Sequence, residues 1–140
     1  MKKIPKTENS LVLRTDFSNE VAWKSICAAI EKPDPVDGFQ AYVEFLSDPE
    51  YDGLTVEQLL TLDPQGSDHY FLFLVDQLAL LHPEQPIVVV DLNREPGRTF
   101  RVIPSQMWAV QNNLSIANMD FEEFANSVDQ DGIFRDFPNI

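Results

Sequence analysis

Two segments constrain the fold of this chain more than any other feature. "YFLFLVD" (70–76) and "PIVVVDL" (86–92) are continuous apolar runs rich in branched and aromatic side chains. A strand alternates its side chains between two faces, so a run that is apolar at every position must be covered on both. These two segments therefore read as central strands of a sheet held between two layers. The link between them, "QLALLHPEQ", has room only for a short helix or a loop. After the second run, "NREPG" (93–97) leads into "RTFRVI" (98–103). Five residues with a proline and a glycine suit a hairpin, whereas a parallel crossover needs a dozen or more, so this pair is expected to be antiparallel.

The rest of the chain alternates strand and helix signals. "LVLRTD" (11–16) reads as the first strand. In "FSNEVAWKSICAAIEK", Trp23, Ile26, Cys27 and Ile30 fall at i, i+3, i+4 and i+7, the buried stripe of a helix, with Ser18 or Asp16 as its N-cap. "KPDPVDG" ends it with two prolines and a glycine. "FQAYVEFL" (39–46) alternates apolar and polar residues, as a strand with one better-buried face does. "TVEQLLTL" starts a second helix on a capping box, Thr55 with Gln58 three residues on.

Near the C-terminus, "SQMWAVQNNLSIANMDFEEFANSV" (105–128) is helical at both ends, with three asparagines and a serine between 112 and 118. On one continuous helix, Met107, Val110, Leu114, Ala117 and Phe121 share a face, but Trp108 and Ile116 point elsewhere and Gln111 and Asn118 crowd the apolar edge. Asparagine competes for backbone hydrogen bonds and takes the left-handed conformation that ends helices. Asp120 and Glu123 then form a second capping box ahead of a fresh stripe, Phe121, Phe124, Ala125 and Val128. Two helices with a joint fit better than one. The whole reads as a single α/β domain over 11–137, behind a flexible leader at 1–10. Its mixed central sheet has about five strands, with helices on both faces and an antiparallel hairpin near 86–103.

Charge limits what such a domain can meet. The formal net charge is −13, and residues 33 to 93 hold twelve acids with no lysine or arginine. Phosphate neutralisation supplies most non-specific nucleic-acid affinity, so DNA and RNA are excluded as direct partners, and an anionic membrane is disfavoured for the same reason. Apolar runs such as Phe71 to Val75 are far too short to span a bilayer. A basic start without an apolar stretch behind it is not a signal peptide, and a single cysteine, Cys27, agrees with a reducing compartment. The expectation is a cytoplasmic protein. Its acidity serves solubility, a cationic partner or a divalent metal.

The stretches "LVLRTDFS", "VEFLSDPEYDGLTVEQLL" and "FRVIPSQMWAVQNNLSIANMDFEEFA" resemble the signature segments of a small bacterial single-domain family of unknown function. The resemblance runs from Leu11 to Phe137. It implies a compact domain and brings no catalytic residue with it.

Candidate chemistry therefore rests on the residues. Five scattered glycines cannot assemble a phosphate loop or a dinucleotide fingerprint. Cys27, on the core face of its helix, behaves as a small apolar residue. His69 and His82 read as lone surface histidines without metal-ligand spacing. Asp16, Asp76 and Asp91 each end an apolar strand. If those strands are parallel neighbours, the three carboxylates converge on Mg²⁺ or Ca²⁺ and support metal-assisted hydrolysis; otherwise each caps a helix or turn. Arg94, Arg98 and Arg101 are the concentrated positive charge beyond residue 32, either an anion site or the guard of an edge strand. Trp108 with Asn112, Asn113, Ser115 and Asn118 offers an aromatic body and amide groups, for a small polar ligand or partner loop, or for capping the helix joint. With no catalytic set in view, the favoured expectation is a non-catalytic acidic module that binds a basic protein, neutralising a cationic toxin or mimicking nucleic-acid charge. The alternatives are a metal-dependent hydrolase on the three aspartates and a small-ligand sensor at the helix joint.

Overall fold

The computed structural model describes residues 2–63 and 69–137. Six strands form one mixed sheet: β1 (Ser10–Arg14), β2 (Val43–Leu46), β3 (Phe71–Val75), β4 (Ile87–Asp91), β5 (Thr99–Val102) and β6 (Ile133–Phe134). Their order across the sheet is β2-β1-β3-β4-β5-β6. β1 runs parallel to both β2 and β3, β4 is antiparallel to β3 and β5, and β6 runs parallel to β5. Five helices connect them: α1 (Glu20–Glu31), α2 (Val56–Leu62), α3 (Gln77–Leu81), α4 (Met107–Ser115) and α5 (Phe121–Ala125).

The continuous apolar runs are the middle of this sheet, and every residue of β3 and β4 is buried. Alternation divides their side chains between two cores. Val12, Phe73, Val75, Ile87 and Val89 pack against α1, α3, α4 and α5. Leu11, Leu13, Leu72, Leu74, Val88 and Val90 pack against α2 and the 3-10 turn at Pro49–Tyr51. Each such side chain contributes about 1.5–3 kcal/mol over its exposed state. Five-residue helices such as α3 and α5 are too short to stand alone in water, so this packing holds them.

Local signals hold in most places. Thr55 and Gln58 form the reciprocal capping box at α2, and Glu123 Oε1 accepts the Asp120 amide at 3.1 Å to open α5. The hairpin between β4 and β5 is antiparallel, with Val89 opposite Phe100.

Four details depart from the sequence reading. α1 is capped by Asn19, whose side chain accepts from the Ala22 amide at 2.9 Å, and Asp16 instead takes the Ser18 amide. β2 begins only at Val43. The preceding backbone bonds to side chains of α4: Gln111 Oε1 accepts from the Tyr42 amide and Asn112 Nδ2 donates to the Gln40 carbonyl. The short sixth strand was missed because two residues carry no periodicity. His69 is buried, its Nε2 donating to the Pro5 carbonyl at 2.8 Å, next to Ile4, which packs on the α2-side core. Tyr51 Oη donates to the Lys3 carbonyl in the same region.

Candidate functional site

Strand direction decides the fate of the three aspartates. Parallel β1 and β3 put Asp16 and Asp76 at one end of the sheet. Antiparallel β4 places Asp91 opposite Phe71, at the other end. The condition for a shared metal is unmet, and no group of three or more His, Cys, Asp or Glu side chains is placed to hold an ion among the described residues.

Each aspartate has a structural engagement instead. Asp91, 5% exposed, accepts the amides of Asn93 and Glu95 at 2.9 and 3.0 Å and so folds the β4–β5 turn. Asp76 caps α3 through the Ala79 amide and receives Arg101 end-on, Nη1 to Oδ1 at 2.9 Å and Nη2 to Oδ2 at 2.7 Å. Burial pushes the Asp76 carboxyl upward, but the Arg101 hydrogen bonds, the Ala79 amide and the guanidinium charge outweigh it and hold the group below its ordinary value. Asp16 faces its own loop through Ser18.

The three arginines of the hairpin region do not combine. Arg94 pairs with Asp120, Arg98 with Glu95 and Arg101 with Asp76. β5 is no exposed edge either, because β6 pairs with it at Arg101 and Val102.

The asparagine-rich insert is a joint built from its own amides. Asn118 N donates to the Asn113 carbonyl and Ala117 N to the Leu114 carbonyl, the paired bonds of a Schellman cap. Its left-handed residue is Ala117, at φ 56, and not an asparagine. Asn113 Nδ2 donates to the Ala109 carbonyl, Asn118 Nδ2 to Asn113 Oδ1, and Ser115 Oγ to the Asn112 carbonyl. Trp108, on the same face of α4 as Asn112 and Ser115, has its ring 5.0 Å from Phe39 and a buried indole nitrogen with no hydrogen-bond partner among the described residues.

Arg14 is the residue that sequence reading passed over. It ends β1 with only 2% exposure, between the rings of Phe17 and Trp23 at 4.3 and 5.2 Å. Its Nε donates to the Asp16 carbonyl, and Nη1 donates to Glu20 at 2.8 Å and to Ser47 at 3.2 Å. The signal was present, a guanidinium closing an otherwise apolar strand; its charged partner Glu20 is 61% exposed, and its Nη2 is buried without a hydrogen-bond partner among the described residues. Here it ties β1, β2 and the start of α1 together at the carboxyl ends of the parallel strands, where α/β sheets usually bind ligands. That crevice is bridged: Thr15 N donates to the Val75 carbonyl and Gly53 N to the Thr15 carbonyl.

Concave surface lies elsewhere. One cavity of about 390 Å³ has three prolines in its walls, Pro33, Pro35 and Pro104, with Ile103 and the acids Asp34 and Glu84. It opens between the end of α1 and the turns flanking β4 and β5. A second, of about 200 Å³, lies under the helix joint and includes Asp91, Arg94 and Asp120. Cys27 belongs to neither; burial pushes its thiol up to about 12.

These features define a three-layer α/β/α domain without an assembled catalytic set among the described residues, carrying a large excess of acidic residues and the clefts described above. The model of the family described as Domain of unknown function (DUF6924) matches residues 9–137, and the chain belongs to that family. No curated protein matches it. No helix among the described residues is long and apolar enough to cross a membrane.

Proposed function

We propose that this protein is a non-catalytic module that binds a basic protein partner. The observation that supports the reading is how its charges are used. All four basic residues beyond Lys32 are held in ion pairs with the protein's own carboxylates; Arg135 alone engages Glu84, Asp129 and Asp131. By contrast, Asp37, Glu50, Asp52 and Glu57 are exposed and engage in no ion pair among the described residues. Asp68, another of the twelve acids of 33–93, lies outside the described residues.

A surface of this kind accelerates encounter with a cationic protein and disfavours acidic ones. The 390 Å³ cavity adds an anchor point. Its walls are stiffened by proline, and Asp34, Glu84 and Lys32 also line it. It suits an apolar side chain of the partner, while the unpaired acids Asp37, Glu50, Asp52 and Glu57 meet its cations. A metal-dependent hydrolase on Asp16, Asp76 and Asp91 lacks support, because the three carboxylates do not meet.

The test is cross-linking capture from the source cell, followed by kinetics with the purified partner. The expected partner is basic, with an association rate that falls steeply as salt rises and slows in Asp37→Asn/Glu50→Gln. A partner that is acidic, or an association rate indifferent to salt, would refute the reading.

A further inference from the structure

In the 200 Å³ cavity beneath the helix joint, opposite charges face each other at the mouth. Arg94 Nη1 and Asp120 Oδ2 stand 3.2 Å apart, with side chains 69% and 49% exposed. An ion pair so open to water holds little energy, so either partner exchanges readily for another charge. The remaining lining carboxylate, Asp91, is already committed to the amides of Asn93 and Glu95. The lining also includes the apolar side chains of Leu114, Met119 and Phe121.

We propose that this cavity binds a free α-amino acid with an apolar side chain. Its carboxylate takes Arg94, its ammonium takes Asp120, and its side chain lies against Leu114, Met119 and Phe121. Both ligand charges are needed. An anion alone meets Asp120 without compensation, and a cation alone meets Arg94. The volume is below the roughly 300–1,000 Å³ of sites for drug-sized ligands, which selects a single amino acid over a nucleotide or a peptide. The site is independent of the acidic surface and of any protein partner.

The experiment is a titration of leucine, methionine and phenylalanine into the isotope-labelled full chain, followed by amide chemical shifts. Saturable shifts are expected at Tyr70, Ala117 and Met119. N-acetyl-leucine and leucine amide each lack one charge, and each is expected to bind up to about fivefold more weakly. Arg94→Gln, in the exposed 93–97 turn, is expected to lose affinity to the same degree at an unchanged melting temperature. Three results overturn the proposal: no saturable shifts at millimolar leucine, equal affinity for the capped ligands, or undiminished affinity in Arg94→Gln.

Discussion

Asp76 and Arg101 meet end-on across 25 residues of sequence, both carboxylate oxygens facing both terminal guanidinium nitrogens at 2.9 and 2.7 Å. The pair fixes the start of α3 to the middle of β5. Arg101 also donates to the Pro86 carbonyl, so one side chain closes the entrance to β4 as well.

This pair predicts an acid-sensitive contribution to stability. The folded carboxyl sits below its ordinary 3.8, so the contribution is complete above that value and is lost as pH falls through the folded one. Arg101→Leu is expected to cost about 1–3 kcal/mol at neutral pH, as loss of a charge-assisted bidentate contact does. In urea melts, the gap between wild type and variant should narrow as pH falls below the ordinary 3.8 and close once it is below the lowered value of folded wild type, where Asp76 is protonated in both. A gap constant from neutral pH to acid would show that the guanidinium stabilises through packing alone.

Ala117 occupies a left-handed position that usually goes to glycine. Replacement with glycine removes the Cβ strain, and the greater freedom of an unfolded glycine cancels part of the gain. Ala117→Gly is therefore expected to stabilise the fold by about 0.5–1 kcal/mol. A lower urea midpoint in the variant would mean that the methyl group packs more than it strains.

Gln111 is buried on α4, and its amide serves two elements at once: Oε1 accepts from the Tyr42 amide and Nε2 donates to Ser10 Oγ. Gln111→Ala leaves these groups without partners and is expected to cost about 1–3 kcal/mol. The indole emission of Trp108 should shift as well, since the loosened 39–42 segment carries the Phe39 ring that lies tilted 5.0 Å from it. An unchanged melting temperature and emission would show that another group or water replaces the amide.

Cys27 gives a simple reactivity test. With the thiol pushed up to about 12 by burial, the thiolate is scarce at neutral pH. Native protein is expected to resist an aromatic disulfide reagent while urea-unfolded protein reacts at once. The linkage sign follows: the raised value favours the fold below the ordinary 9.0, and that contribution fades as pH rises beyond it. Rapid native labelling at neutral pH would contradict this environment.

Much of the architecture was legible because it rests on local periodicity. The runs at 70–76 and 86–92 announced fully covered strands, and β3 and β4 are buried at every position. Thr55 with Gln58 announced the start of α2, and the asparagines announced the break after α4. The candidate sites were far less legible. The aspartate triad failed on one property, the direction of β4. The arginine cluster dissolved because each guanidinium found a separate carboxylate, Arg94 its Asp120 26 residues away. Arg14 went unnoticed because its partners, Glu20 and Ser47, lie on a helix and a second strand edge.

The chain by itself determined most of the strands and helices, where several of them begin, and the sign of the net charge. These depend on side-chain spacing and backbone capping within a few residues. Only the tertiary structure decided strand order, strand direction and the pairing of charges. A carboxylate at a strand end has no fixed neighbour until the adjacent strand takes a direction, and packing energy summed over both cores sets that direction.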